Sequence, residues 1–154
     1  MPVVVVLDTL RSAFNTGNIF RIADAVQAES VITCGYTPAP PHPKLAKTAR
    51  GCQETIISTT AESSAAAVRD LKSRGVYVYA VETTASAVPV WDVSLQFPAA
   101  FVFGNEALGV ADEALALSDA QISLPCLGIK GSINVGNCAA VVLYEALRQW
   151  YYSS

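Results

Sequence analysis

The stretch SLPCLGIKGSINVGNCAAVVLYEALRQW, residues 123–150, begins like the end of a buried strand and closes like an amphipathic helix. The loop between them contains Gly128, Gly131, Ser132 and Asn134. Ser132 or Asn134 alone would cap the last helix, and a plain turn needs only one or two residues of these types. The excess indicates a ligand loop or an unusual backbone path, and this stretch by itself leaves a helix cap and a ligand loop equally open.

Short apolar runs bounded by turn residues predict the strands of the remaining chain. They cover residues 3–7, 30–34, 76–81, 99–103 and 121–124, with a weaker strand at 55–58. The runs do not alternate polar and apolar residues, which is typical of parallel strands covered on both faces. Helical patterns are predicted at residues 16–28, 63–75 and 134–151. This order indicates one α/β domain over residues 1–154, with a mostly parallel sheet flanked by helices.

The composition excludes several classes of protein. The chain is 52% hydrophobic and 15% charged, with a net charge of −3, so neither disorder nor a nucleic-acid binder of strongly basic charge is indicated. A local basic patch is still compatible with these totals. No apolar run is long enough to span a membrane and no secretory signal is evident, so we expect a cytoplasmic protein without a membrane partner. The high apolar content predicts an extra buried surface, most simply a subunit interface.

The cysteines and the single histidine do not form a metal-binding pattern. Cys34, Cys52, Cys126 and Cys138 are scattered without a CxxC pair, so we interpret them as small structural residues. A zinc site would also need histidine, and His42 lies in the proline-rich segment PAPPHPK. We therefore expect His42 to be a loop residue and the protein to hold no metal.

Two further segments follow predicted strands at the edge where α/β sheets bind ligands. In NTGNIFR, residues 15–21, Asn15 or Thr16 is expected to cap a helix whose first turn exposes Arg21, although an ordinary cap and a surface arginine explain the spacing better. In GNEALG, residues 104–109, two glycines permit close backbone approach and Glu106 is expected to point into the same cleft. An ordinary turn explains that segment about as well, and neither segment is a dinucleotide or P-loop fingerprint.

Together and in this order, NTGNIFR, VFGNEALG and LPCLGIKGSINVGNCAAVVLYEALRQ resemble the three signature motifs of the SpoU/TrmH-type SPOUT RNA methyltransferases. The intervening CGYTPAPPHPKLAKTARGCQE is similar to the loop after the second strand in many members. The resemblance implies an alpha/beta knot, in which the C-terminal part of the sheet forms a deep trefoil knot that binds S-adenosylmethionine. It also implies a homodimer, formed through the knot region and the C-terminal helix.

The resemblance further assigns site residues. Those expected to line the cofactor are Val81, Thr83, Gly104, Gly109, Ile122, Leu124 and Ser132. Arg21 is expected to orient a ribose 2′-hydroxyl and to stabilise the developing alkoxide, because a guanidinium stays protonated and cannot act as a base. Asn15 and Glu106 match positions that hold this constellation together, and Asn134 is expected to tie the knot loop to it. Gly136 departs from the pattern, since many members carry serine there.

The RNA-binding residues are predicted from charge. Lys44, Lys47 and Arg50 recur at every third position, so a helical turn would present them on one side. A solvated surface explains this spacing equally well. With Arg11 and Lys130 near the expected cleft, they are predicted to contact RNA phosphates across the dimer.

These observations predict an S-adenosylmethionine-dependent RNA 2′-O-ribose methyltransferase, with tRNA favoured over rRNA because minimal members of the family often act on tRNA. A second hypothesis keeps the cofactor and changes the acceptor to rRNA or to a base atom. A third is a non-catalytic RNA-binding or assembly module that retains the knot. The joint presence of Asn15, Arg21, Glu106, Ser132 and Asn134 argues against that module.

Overall fold

The computed structural model describes residues 1–152 and contains one seven-stranded sheet in which every strand pair is parallel. The strands are β1 (Val3–Asp8), β2 (Ser30–Cys34), β3 (Ser58–Ala61), β4 (Tyr77–Val81), β5 (Val88–Pro89), β6 (Ala99–Phe103) and β7 (Ala120–Ser123). The helices are α1 (Ala13–Ala25), α2 (Pro43–Ala49), α3 (Cys52–Thr55), α4 (Ser64–Ser73), α5 (Asp112–Leu117) and α6 (Val135–Tyr152). The order across the sheet is β3-β2-β1-β6-β4-β7-β5, which confirms the predicted α/β class.

Helices cover both faces of the sheet and create two apolar cores. All six residues of β1 are buried. Val3, Val5 and Leu7 belong to the core that also contains residues of α1, α2 and α6. Val4 and Val6 belong to the opposite core, which contains residues of α4 and α5. This two-sided burial is the reason that the strand sequences do not alternate.

Most predicted elements are confirmed within one or two residues, but the weak strand at 55–58 is wrong. Residues 52–55 instead form α3, and the strand begins three residues later as β3. The Thr55 hydroxyl donates to the Cys52 carbonyl oxygen, 3.1 Å away, and to an Asp24 carboxylate oxygen, 2.8 Å away. Thr55 therefore closes a helical turn and does not begin a strand. Helix α5 and the two-residue strand β5 were not predicted.

The start of α1 differs from the prediction in a way that matters for the site. Ser12, not Asn15 or Thr16, caps the helix, because its hydroxyl oxygen accepts a hydrogen bond from the Asn15 N–H at 3.1 Å. Asn15 is thus in the first turn of the helix, and its side chain is free to make other contacts. Arg21 lies in the third turn rather than the first. Within residues 1–152, no helix has the length and apolarity to cross a bilayer.

Candidate active site

A cavity of about 280 Å³ lies where the carboxyl ends of β4, β6 and β7 meet the start of α6. Its volume is near the lower end of the range for ligand pockets, which is about 300–1,000 Å³. The carboxyl ends of parallel strands share one edge, so residues distant in sequence converge there. The walls include Val81, Thr83, Gly104, Leu124 and Ser132.

Two glycines and one carboxylate build the wall that follows β6. A Cβ atom on Gly104 would lie 2.2 Å from the Gly109 carbonyl carbon, so these backbone segments touch. Gly109 has a φ of +73°, and a Cβ there would lie 2.1 Å from Glu82 Oε2. That oxygen accepts a hydrogen bond from the Val110 N–H at 2.9 Å. Neither glycine tolerates a side chain, which gives the GNEALG spacing a structural reason.

Asn105 holds this loop in shape. It is buried, and its backbone pairs with Gly109 through hydrogen bonds of 3.0 and 2.9 Å. Its side-chain oxygen accepts from the N–H groups of Ala107 and Leu108, and its amide nitrogen donates to the Thr9 carbonyl oxygen at 2.7 Å. The loop is thereby fixed to the end of β1.

Glu106, Asn15 and Asn134 form a continuous hydrogen-bonded chain that joins the three sequence motifs. Glu106 accepts from the Arg11 N–H at 2.9 Å and from the Ser12 N–H at 3.1 Å. The Asn15 amide nitrogen also donates to Glu106, at 3.1 Å. The Asn15 amide oxygen accepts from the amide nitrogen of Asn134, again at 3.1 Å. The start of α1, the loop after β6 and the start of α6 are therefore held together by side chains.

The hydrogen bonds to Glu106 also set its charge. Partial burial by itself would raise the pKa of this carboxyl, because burial disfavours the charged form. The Arg11 N–H, the Asn15 amide and the Ser12 N–H outweigh that effect and lower the pKa of Glu106 below its ordinary value of 4.5. Glu106 is therefore an ionised structural acceptor at neutral pH and is not available as a general acid.

The structure gives Gly136 a place in this arrangement. Its N–H donates to the Asn134 side-chain oxygen at 2.9 Å, so Asn134 caps α6. A Cβ on Gly136 would lie 2.6 Å from the amide nitrogen of Asn18 and 3.1 Å from the Asn134 oxygen. Asn18 therefore occupies the space that a serine at position 136 would enter, and glycine at 136 leaves room for it.

The predicted cofactor residues converge, with one exception. The predicted residues that line the cavity are Val81, Thr83, Gly104, Gly109, Leu124 and Ser132, together with Glu106 and Asn134. Ile122 does not line it, because this side chain is fully buried in the core beneath. Its carbonyl oxygen accepts from the Glu82 N–H at 3.0 Å, so Ile122 supports the floor of the cavity through its backbone.

Arg21 does not line this cavity in its own chain. It is exposed on α1, and its positive charge acts on the Cys52 thiol of α3. Burial, and then the Asp24 carboxylate, raise the pKa of Cys52 despite that positive charge. Asn15, nearly two turns earlier on α1, does hydrogen-bond to Glu106 and Asn134. The two residues of the NTGNIFR motif therefore lie in different parts of the surface.

The predicted RNA-binding cations differ from the other basic residues in their pairing. Lys44 and Lys47 are exposed on α2, which confirms the predicted helical turn, and Arg50 follows it with a φ of +57°. Ten lysines and arginines are present, and four of them form ion pairs, Arg69, Lys72, Arg74 and Arg148. The other six make no ion pair within residues 1–152. These six are Arg11, Arg21, Lys44, Lys47, Arg50 and Lys130.

Sequence reasoning missed several residues of the site. Glu82 and Asp8 each follow or end a buried strand, which is a signal that could have been used, and Asp8 accepts from the Ala111 N–H at 2.7 Å. Cys126 and Cys138 line the cavity, and burial raises the pKa of Cys138 to about 11, with smaller contributions from Cys126 and Glu82. Cys138 is therefore a neutral thiol that packs beside the core, as expected of a structural cysteine.

His42 has a structural role at the start of α2. His42 is the cap of α2, since its Nδ1 atom accepts from the N–H groups of Lys44 and Leu45 at 3.2 and 3.4 Å. No cluster of three or more histidine, cysteine, aspartate or glutamate side chains suited to a metal ion is found in residues 1–152.

The chemistry of the cavity fits a cationic ligand with an aromatic end. Glu82 and Glu106 line it, and no lysine, arginine or histidine does so among the residues described. The field inside is therefore negative, which suits a sulfonium and opposes phosphate groups. Apolar side chains such as Val81 and Leu124 offer contacts for a nucleobase, and the bare backbone of Gly104 permits close approach.

Comparison with known proteins agrees with this chemistry. Residues 2–144 match the family described as the SpoU rRNA Methylase family. The chain is 36% identical over 148 residues to the tRNA (guanosine(18)-2'-O)-methyltransferase of Thermus thermophilus, covering 94% of this chain and 74% of that enzyme. It is 32% identical over 148 residues to the 23S rRNA (guanosine-2'-O-)-methyltransferase RlmB of Ralstonia nicotianae, covering 96% of this chain and 59% of that enzyme.

A solved structure gives the same fold. The SpoU methyltransferase AviRb from Streptomyces viridochromogenes, in complex with the cofactor AdoMet, superposes with a TM-score of 0.89 at 26% identity. The match covers 97% of this chain and 60% of that chain. This chain thus spans about three fifths to three quarters of the length of the proteins with which it was compared.

Proposed function

This chain belongs to the SpoU rRNA methylase family, and from that membership we propose that it methylates a ribose 2′-hydroxyl of RNA with S-adenosylmethionine, tRNA being favoured over rRNA. The resemblance drawn from the three sequence motifs is thereby confirmed. The observation that carries the proposal is the hydrogen-bonded chain of Glu106, Asn15 and Asn134 beside a cavity whose walls, within residues 1–152, contain no lysine, arginine or histidine.

S-adenosylmethionine supplies an activated methyl group on a positively charged sulfur. In this chain, Val81 and Leu124 would contact its adenine, and the backbones of Gly104 and Gly109 would approach it closely. Glu82 would contribute negative charge near the sulfonium. The family's activated donor needs no metal, so the task left to the protein is to align the acceptor hydroxyl and to help remove its proton.

We propose that Arg21 orients the ribose hydroxyl and stabilises the developing alkoxide, with a phosphate oxygen of the RNA as the proton acceptor. A protonated guanidinium can do the first two tasks but cannot accept a proton. Because Arg21 does not line the cavity of its own chain, we propose that it acts on the cavity of a second copy in a homodimer. The knot implied by the resemblance is also part of this proposal.

Exposed apolar residues support the homodimer. On α6, the buried residues Ala139, Val142 and Leu143 face the chain's own core, whereas Val141 and Tyr144 are 43% and 52% exposed. The loop before α6 exposes Leu127 and Ile129 almost completely. A second copy that covered α6 and this loop would remove both apolar surfaces from water.

The six unpaired cations support RNA as the macromolecular substrate. An arginine or lysine without a carboxylate partner can pair with a phosphate without first losing an ion pair. We propose that Lys44 and Lys47 on α2, with Arg11 and Arg50, contact the RNA backbone, and that Lys130 does so from the loop before α6. Charge reversal of Lys44 and Lys47 together should weaken tRNA binding and flatten its salt dependence, whereas reversal of Lys72, which is paired with Asp119, should change neither.

The direct test is to incubate the purified protein with S-adenosylmethionine carrying a labelled methyl group and with total RNA, and then to separate tRNA from rRNA. We expect label in tRNA, and nuclease digestion should yield a 2′-O-methylated nucleoside. Label in rRNA alone would favour the second hypothesis. Label in neither pool, together with no binding of S-adenosylhomocysteine in calorimetry, would contradict the enzymatic function and favour the non-catalytic RNA-binding or assembly module.

The role of Arg21 has its own test. Arg21→Ala should lower the single-turnover rate of methyl transfer about a hundredfold or more while S-adenosylhomocysteine still binds with unchanged affinity. Arg69→Ala, which removes an ion-paired arginine on α4, is the matched control and should leave the rate unchanged. An unchanged rate for Arg21→Ala would show that the assigned role is wrong.

A further inference from the structure

Tyr36 presents an aromatic ring to solvent directly beside the wall of the cavity. It follows β2, and 62% of its surface is exposed. Its hydroxyl oxygen accepts a hydrogen bond from the Asn105 amide nitrogen at 3.0 Å. Asn105 is 4% exposed and itself lines the cavity. One buried side chain therefore separates the exposed ring from the proposed cofactor site.

The backbone around Tyr36 is fixed, so the ring does not depend on a mobile loop for its position. Gly35 has a φ of +59°, and its N–H donates to the Ala61 carbonyl oxygen at 3.1 Å. The Thr37 hydroxyl lies 2.7 Å from the Cys34 carbonyl oxygen and 3.1 Å from that of Leu7, and it accepts from the Leu10 N–H at 3.0 Å. Both neighbours of Tyr36 are thus anchored to the sheet or its loops.

Hydrogen bonds connect Tyr36, through Asn105 and Glu106, to the backbone of Arg11. Asn105, which holds the tyrosine hydroxyl, is followed directly by Glu106, which holds the Arg11 backbone at 2.9 Å. The Arg11 side chain makes no ion pair within residues 1–152. Proteins bind single-stranded nucleotides by combining exposed aromatic rings, which stack on bases, with cations, which meet phosphates.

We propose that Tyr36 is a stacking platform for an unpaired nucleobase of the RNA substrate, next to the nucleotide whose ribose is methylated. This inference rests on the proposed function, since it requires RNA at the cavity. The Asn105 hydrogen bond leaves the tyrosine O–H free to donate to the same nucleotide. Stacking tolerates any base, so Tyr36 selects an unstacked, accessible base and not a sequence.

The test compares three variants in binding to unfractionated tRNA at several salt concentrations. Tyr36→Leu keeps an apolar side chain but removes the ring, and should weaken binding about tenfold. Tyr36→Phe and Tyr36→Trp keep a ring and should bind within about twofold of the wild type. Ile57→Ala, which removes an exposed apolar side chain before β3, is the control and should bind like the wild type.

Two further readouts separate stacking from other roles. Stacking displaces no counterion, so Tyr36→Leu should leave the slope of log affinity against log salt unchanged, whereas reversal of Lys44 and Lys47 should reduce it. S-adenosylhomocysteine should bind all Tyr36 variants equally. Full binding by Tyr36→Leu, or a loss in Tyr36→Phe as large as in Tyr36→Leu, would overturn the stacking role alone. A wild-type protein that neither binds nor methylates tRNA or rRNA would overturn the proposed function as well.

Discussion

Glu106 accepts two backbone hydrogen bonds at the start of α1 and one from the Asn15 side chain, and so its ionisation is coupled to folding. Because its pKa is lower in the folded protein than the ordinary 4.5, the stabilisation is fully present above that value. It is lost as the pH falls through the lowered pKa, where the folded state takes up the proton.

Replacement of Glu106 tests this coupling. Glu106→Gln should lower the free energy of unfolding at pH 7 by about 1 kcal/mol. The expected loss is small because solvent screens the interactions of a partly exposed carboxylate. The difference from the wild type should be smaller at pH 3 than at pH 7, because the wild-type carboxyl takes up a proton as the pH falls through its lowered pKa. Urea denaturation at both pH values measures it. Glu29→Gln, at an exposed side chain that accepts no hydrogen bond within residues 1–152, should show no difference at either pH.

Gly109 provides a second prediction at the scale of one residue. Gly109→Ala forces a Cβ to within 2.1 Å of a Glu82 oxygen at a φ of +73°, so it should destabilise the fold and lower S-adenosylhomocysteine affinity at least tenfold. A Cβ on Gly128 meets no atom within 4 Å, so Gly128→Ala should bind normally. Calorimetric titration measures both variants. Equal affinities would mean that the close approach at Gly109 does not shape the cofactor site.

Residue roles were only partly predictable from the sequence. The motif spacing indicated that Gly104, Gly109 and Glu106 would meet, and the structure places them together. It did not reveal that Glu106 is an acceptor for backbone N–H groups, because those donors come from residues 94 and 95 positions away. Nor did it explain Gly136, whose partner Asn18 belongs to another helix. Contacts of this kind depend on the packing of two elements and have no local signature.

At the scale of elements, the cap of α1 fixes where Asn15 stands. The Ser12 hydroxyl binds the Asn15 N–H, and this sets the first turn from which the Asn15 side chain reaches Glu106 and Asn134. If Asn15 had capped the helix, which was one of the two caps indicated by the sequence, its side chain would have been occupied by the cap. The error arose because serine, threonine and asparagine are all good caps, and three of them stand within five residues.

Ser12 and Ser63 cap different helices in the same way, so replacing each one separates an effect on stability from an effect on catalysis. Ser12→Ala and Ser63→Ala each remove a hydroxyl that accepts a 3.1 Å hydrogen bond from a helix N–H, and each should cost about 1 kcal/mol of unfolding free energy. Only Ser12→Ala should also lower the single-turnover rate, because Ser63 caps α4 on the opposite face of the sheet. Urea denaturation and a methyl-transfer assay measure the two effects. Equal rates for both variants would show that the α1 cap does not position the network.

At the scale of the whole molecule, charge and apolar surface are distributed unevenly. The ion-paired cations include Arg69 and Lys72 on α4 and Arg148 on α6. Those without an ion pair in residues 1–152 lie on α1, on or just after α2, and in the loops that precede α1 and α6. The net charge of −3 hides this division, which is why composition could only argue against a protein of strongly basic overall charge. That the sheet is mostly parallel was predictable from the sequence. The pairing of β1 with β6 was not, because two strands about 95 residues apart leave no pattern in the sequence that shows they are neighbours.

The proposed homodimer gives a prediction at this scale. Val141→Asp combined with Tyr144→Asp places two charges on the exposed side of α6. This double variant should dissociate the homodimer, so that sedimentation velocity gives the mass of a single chain. Methyl transfer should fall with it if Arg21 acts across the interface. Ile57→Asp, at an apolar side chain that is 67% exposed before β3, should change neither property. A double variant that keeps the wild-type mass would remove α6 from the interface.

The parallel sheet has one more consequence, which concerns engineering. The cavity lies at the carboxyl ends of β4, β6 and β7, whereas the turn between α4 and β4 is at the opposite edge of the sheet. Gly75 in that turn is exposed, and a Cβ placed on it meets no atom within 4 Å. A short peptide tag inserted after Gly75 should therefore leave S-adenosylhomocysteine affinity unchanged in calorimetry, and would allow the protein to be immobilised or labelled with its catalytic edge facing the solution.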